Sequence, residues 1–171
     1  MLPGVQVLDL KRNVDERGSF TEILREDWKE FLSDERPAQA NFSVSYPGMI
    51  RAWHRHQAGQ YDVFVVVRGS LKICAYNDLD APNLGELDEI LVSGDRLQAA
   101  IVRGHYWHGT MCVSPMASET VYFVTRLYDR AKPDELRRPW NDPSIIPRTI
   151  NGNPTDPRVG RPWDWNASPH K

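Results

Sequence analysis

Between residues 61 and 76 the sequence permits little other than two adjacent β-strands. Val63-Phe64-Val65-Val66-Val67 is β-branched and aromatic, has the length of a buried strand, and stops at Gly69. Leu71-Lys72-Ile73-Cys74-Ala75-Tyr76 follows at once and alternates, so the pair predicts a hairpin around Arg68-Gly69-Ser70. Further strands are expected from Gln39 onward and over 88–92, 96–102, 109–113 and 119–127. The alternating Val5, Val7, Leu8 and Leu10 suit an edge strand. Asp15-Glu16-Arg17-Gly18-Ser19 is turn chemistry, with a strand expected to leave it over Phe20 to Leu24. Glu26 to Leu32 is the one expected helix. Many short strands with little helix predict an all-β sandwich or barrel.

From Pro139 the character changes. Seven prolines and three of the six tryptophans fall between there and the C-terminus. That composition predicts an extended segment draped over the barrel rather than another strand. A length of 171 residues suits one domain, with its core at about 3–145 and residues 146–171 as the draped segment. A formal net charge of -2 gives no footprint for nucleic acid. No apolar run reaches the ~18 residues of a membrane span, and no basic cluster precedes an apolar N-terminal stretch, so a cytoplasmic protein is expected. Cys74 and Cys112 read as small buried hydrophobes rather than a disulfide.

Four of the five histidines form two tight groups: His54 and His56, then His105 and His108. On a strand, residues i and i+2 face the same side, so His54 and His56 point together, into the barrel. The frame Gly48-x5-His54-x-His56-x5-Asp62-x6-Gly69 resembles the first cupin motif, and residues 94–109 resemble the second. An acidic residue is usual after three or four intervening residues beyond the second histidine, whereas here Asp62 follows five. The second motif has Val102 where proline is usual and is one residue too long between Gly104 and His108. The resemblance implies a cupin jelly-roll (double-stranded β-helix).

Other segments narrow the family. Asp15-x-Arg17-Gly18-x-Phe20-x-Glu22, Gln39-x-Asn41-x-Ser43, Arg51-x-x-His54, His108-Gly109, Tyr122-x-x-Thr125 with Tyr128, and Trp140-Asn141-Asp142 resemble, in order, the motifs of dTDP-4-dehydrorhamnose 3,5-epimerases. The resemblance covers roughly residues 3–145. It implies a cofactor-free isomerase that inverts C3, C5 or both in a 4-keto-6-deoxy sugar nucleotide for deoxysugar or polysaccharide biosynthesis. It also implies a homodimer that exchanges N-terminal strands.

Such a reaction removes a proton beside a ketone, stabilises the enolate and returns a proton to the opposite face. The resemblance assigns the base to His54, whose imidazole suits proton transfer near neutral pH. A C-terminal carboxylate, Asp156 or Asp164 with Asp156 preferred as nearer the expected distance, would orient it. Tyr122 would be the acid on the other face, and Arg51 and His108 would stabilise the enolate oxygen. Arg17, Phe20, Glu22, Gln39, Asn41 and Tyr128 would bind the nucleotide sugar, Arg17 and Arg51 pairing with the diphosphate. One departure stands out: the family's lysine falls at Asp62, and Lys72, beyond the turn, could replace it only by reaching inward. Together with His56 this leaves two rivals open. One is a metal-dependent cupin with His54, His56, Asp62 and His108 around a divalent ion. The other is a non-catalytic sugar-binding cupin.

Overall fold

The computed structural model describes residues 1–79 and 81–167. Two sheets face each other. The first has the order β1-β9-β6-β11-β4, and the second β12-β5-β10-β7-β8-β13. Their strands are β1 Gln6–Asp9, β4 Gln39–Ser45, β5 Ile50–His56, β6 Tyr61–Arg68, β7 Ser70–Tyr76, β8 Glu86–Ser93, β9 Gln98–Arg103, β10 Trp107–Cys112, β11 Ser118–Val124, β12 Glu135–Arg137 and β13 Thr149–Ile150. A small hairpin, β2 Asn13–Asp15 with β3 Gly18–Phe20, stands apart, and one short helix, α1, spans Lys29–Leu32.

The two strands and the turn at Gly69, whose φ of +72° glycine adopts without cost, form as expected, but the hairpin does not. β6 pairs with β9 and β11 in the first sheet, while β7 crosses to the second and pairs with β8 and β10. The unbroken apolar run of β6 has a simple cause, since both of its faces are buried. Phe64 and Val66 point between the sheets, against Leu71, Ile73, Ile90 and Val92. Val63 and Val65 point outward, beneath Leu10, Phe31 and Leu32 of the N-terminal segment and α1. The outer face of the second sheet is covered by the C-terminal segment, where Ile145, Ile150, Trp163 and Trp165 pack on Trp53, Cys74, Leu87 and Trp107. Both cysteines are buried and free.

Four further local expectations are corrected. The strand over Phe20 to Leu24 ends at Phe20, because residues 21–25 have no partner strand among the described residues. The helix is one turn long rather than seven residues. The proline-rich tail contributes β13, which pairs parallel with β8. β12 was not expected; its Glu135-Leu136-Arg137 follows turn residues and pairs with β5.

Beside the core of Phe64, Val66, Leu71 and Ile73, a cavity of about 630 Å³ opens, lined mainly from β4, β5, β6, β11 and β12.

Candidate active site

β5 delivers the first histidines. It pairs with β10, His54 opposite His108, and with β12, His54 opposite Arg137 and His56 opposite Glu135. Leu136 packs outward against the tryptophan-rich core, so Glu135 and Arg137 share the cavity side with His54 and His56. Gly104 makes room for this end of β5: its carbonyl accepts from the His56 amide, and a Cβ there would sit 2.9 Å from His56 Cβ.

Asp62 on β6 lies at the centre. Its Oδ2 is 2.8 Å from His108 Nε2 and 3.6 Å from His56 Nε2, while Gln60 Nε2 donates to Oδ1 at 2.7 Å. The outer nitrogens are held too: His108 Nδ1 is 2.9 Å from the Tyr106 carbonyl, and His56 Nδ1 is 3.2 Å from Asp134 Oδ1. The His54 and His108 ring centres are 4.1 Å apart, edge to face. The ligand-type atoms of His54, His56, Asp62 and His108 all lie within 4.8 Å of one another.

Electrostatics separates these groups. Burial pushes His54 well below the usual histidine range, and neighbouring His108 pushes the same way against Asp62. Burial also opposes charge on His56, but the carboxylates of Asp62 and Asp134 outweigh it and hold that pKa above the ordinary value. Burial would raise Asp62, yet hydrogen bonds from His108 and His56 keep it far below the carboxylate range. His54 is thus the free base of the group.

Tyr122 enters from the opposite sheet. On β11 it sits between Asn41 of β4 and Phe64 of β6, stacked on Phe64 with ring centres 6.0 Å apart. Burial, then the Asp62 charge, raises its phenol pKa, so it is held in the acid form. Gln39 and Asn41 also face the cavity from β4, Gln39 Nε2 donating to Asn41 Oδ1 at 2.7 Å, and Tyr128 lies at its edge. Arg51 lines the wall, donating to Ser45 Oγ and the Val44 carbonyl.

Other expected residues lie elsewhere. Asp156 does not meet His54. It binds Arg158 at 2.9 Å, and Arg158 binds Glu89. Glu89 is in register with Cys74, and Cys74 with Gly109, which puts this group on the outer face of the sheet, opposite His108. Asp164 accepts the Asn166 amide in a turn. Among the described residues no carboxylate is hydrogen-bonded to the His54 ring. Lys72 also points outward, to the Trp165 and Ala167 carbonyls and Glu89, so it cannot replace a lysine in the cavity. His108 is 0% exposed with both ring nitrogens engaged, which removes it as a donor to substrate. Arg17, Phe20 and Glu22 stand outside the cavity of their own chain, Arg17 paired with Asp15, Glu22 with Arg25, and Phe20 67% exposed.

Gln60, Asp134, Glu135 and Arg137 were not found from sequence. Gln60 carried a signal: it stands four positions after His56, where the motif has its acid. The others belong to β12 and the segment before it, which no motif marked.

The sequence model of the dTDP-4-dehydrorhamnose 3,5-epimerase family matches residues 1–151. The chain is 39% identical over 138 residues to the probable low-salt glycan biosynthesis epimerase Agl13 of Haloferax volcanii, covering 80% of this chain and 87% of that one. It is 34% identical over 147 residues to the spore coat polysaccharide biosynthesis protein SpsL of Bacillus subtilis, covering 85% and 94%. Among solved structures it resembles the dTDP-6-deoxy-D-glucose-3,5-epimerase of Legionella pneumophila in complex with dTDP-4-keto-L-rhamnose, with a TM-score of 0.75 at 22% identity over 98% of this chain and 81% of that one. It also resembles a 3'-monoepimerase of Streptomyces bikiniensis in complex with dTDP-quinovose, at 0.71 and 22% over 98% and 79%.

Proposed function

The chain belongs to the dTDP-4-dehydrorhamnose 3,5-epimerase family and has its all-β cupin jelly-roll fold, and on that premise we propose how its cavity acts on a nucleotide sugar. The enzyme is an isomerase, a nucleotide-sugar epimerase of glycan or polysaccharide biosynthesis. The observation that carries the assignment of its machinery is the convergence, from opposite sheets, of a histidine held as free base and a tyrosine held as acid. His54 takes the proton beside the C4 ketone from one face, and Tyr122 returns one to the other. Arg51, Gln39, Asn41 and Tyr128 line the space that the sugar and diphosphate would fill. No cofactor is part of this reading.

The protein acts as a homodimer. β4 is an edge strand of its sheet, with Phe42 63% exposed on its outer side, and the β2–β3 hairpin exposes Val14 and Phe20; both features suit a second copy. In that dimer Arg17, Phe20 and Glu22 would serve the partner's cavity. A charged nucleotide sugar does not cross a bilayer unaided, so the enzyme works where its substrate is made, in the cytoplasm; no helix among the described residues is long and apolar enough to span a membrane.

Incubation with dTDP-4-keto-6-deoxy-D-glucose in D₂O tests the reading: NMR should show deuterium entering at C3, C5 or both, with inversion. Protein that leaves both positions unlabelled refutes it.

One observation favours a second reading. With His108 Nδ1–H donating to the Tyr106 carbonyl, Nε2 and Asp62 Oδ2 meet at 2.8 Å as two acceptors unless a proton or a metal ion lies between them. His54, His56, Asp62 and His108 could then hold a divalent ion, which would polarise the ketone oxygen as a Lewis acid. Exchange that EDTA abolishes and a divalent ion restores would select this reading; exchange that survives EDTA selects the first.

A further inference from the structure

Removing a proton beside a ketone drives negative charge onto the carbonyl oxygen, two bonds from the carbon attacked. A cation serving that oxygen must therefore stand beside the base, with a donor to spare. The candidates near His54 reduce quickly. Asp62 is a buried anion and His108 has no free nitrogen. Lys72 is committed to the outer face of the sheet. Arg55 and Arg138 are bound to Asp78, and their guanidinium groups flank Trp107 at 4.5 and 4.1 Å. Arg51 is tethered to β4 by Ser45 and Val44, where its charge acts on Tyr122.

Arg137 is left. It is in register with His54 on the adjoining strand, on the cavity side, and its charge is felt at the His54 ring. Glu135, two residues away on the same face, holds it: Nε is 3.0 Å from Glu135 Oε1, and Nη2 donates to Oε2 at 3.2 Å. That pair fixes the guanidinium plane and uses one edge of the fork. The Nη1 donors have no hydrogen-bond partner among the described residues, and the side chain is 77% exposed, so a ligand can reach it.

We propose that Arg137 is a catalytic residue that binds the developing enolate oxygen while His54 removes the adjacent proton, with Glu135 positioning its guanidinium. The assignment rests on the epimerase reading above. It makes the reaction depend on a strand that no sequence motif marks.

The test is deuterium exchange into dTDP-4-keto-6-deoxy-D-glucose, measured across substrate concentration for wild type, Arg137→Gln and Arg137→Lys. Arg137→Gln should lower the kcat of exchange by about 10²- to 10³-fold with KM nearly unchanged, since the contact is made in the transition state. Arg137→Lys, which keeps the charge, should recover part of the loss. Both variants should melt with wild type, because the side chain is exposed on an edge strand. Unchanged kcat with raised KM would make Arg137 a ground-state contact, to the diphosphate for example, and overturn the proposal. Equal loss in the Gln and Lys variants would overturn it as well. Failure of the epimerase reading is distinguishable, since wild type itself would then show no exchange, and the role given to Arg137 would fall with it.

Discussion

On the outer face of the six-stranded sheet, Lys72, Glu89, Arg158 and Asp156 form a closed chain of two cations and two anions, at 3.1, 2.7 and 2.9 Å, sealed under Trp163 and Trp165. On the inner face of the same sheet, His54 and His56 of β5 and His108 of β10 gather around one carboxylate of the facing sheet, Asp62 of β6, beside an open cavity. In the outer group every charge is matched by a neighbour, and Lys72 also caps carbonyls of the C-terminal segment. A matched, buried group of this kind fixes one segment on another and has nothing left to offer a ligand. The inner group is poised differently. Asp62 is saturated by His108, His56 and Gln60, which leaves His54 close to the cluster yet outside its hydrogen bonds. The proposed chemistry uses the face where one base is kept uncommitted.

The largest effect should come from that base. His54→Asn is expected to lower exchange at the sugar carbons by 10²- to 10⁴-fold, of the order general-base catalysis contributes, with a melting temperature close to wild type. Wild-type exchange in the folded variant would move the base elsewhere.

Next, Tyr122→Phe should spare exchange and impair inversion by on the order of 10²-fold, because His54 can remove a proton and return it to the same face. NMR would then show deuterium entering with retention. Equal loss of exchange and inversion would contradict an acid on the opposite face.

The outer face should respond in stability alone. Asp156→Asn leaves Arg158 with one anion fewer in a buried site, at a cost of about 3 kcal/mol, or roughly 6–12 °C in melting temperature. Turnover per folded molecule should hold. A fall in kcat comparable to that of His54→Asn would instead join Asp156 to the base and erase the distinction between the two faces.

The smallest effect concerns Asp88, a buried carboxylate beside β7 whose Oδ2 accepts the Leu2 amide. Burial raises its pKa to about 6 from an ordinary 3.8. Its contribution to stability is therefore full below about pH 4 and is lost as the pH rises through about 6. Asp88→Asn should flatten that slope and raise stability at pH 7 by on the order of 1 kcal/mol, read from denaturant melts at several pH values. A slope identical to wild type would show that the titration belongs to another group.

The sequence by itself determined the strands that carry their own periodicity, and with them half of the site. His54 and His56 share a face because strand side chains alternate, and Gln39 and Asn41 reach the cavity for the same reason. The strands on either side of Gly69 and the all-β class were legible from local pattern as well, but not that the chain changes sheets at that turn instead of closing a hairpin. Weak segments were not: β12 is three residues long and owes its existence to pairing with β5, so Glu135 and Arg137 had no local signature. Partner choice across the fold was also beyond the sequence. Asp156 and Asp62 are both carboxylates at plausible separations from His54, yet only the stacking of the sheets puts Asp62 among the histidines and Asp156 behind them. Which side of a strand a long-range partner lands on depends on how the sheets close, a sum of packing terms from the whole chain, and no local spacing encodes it.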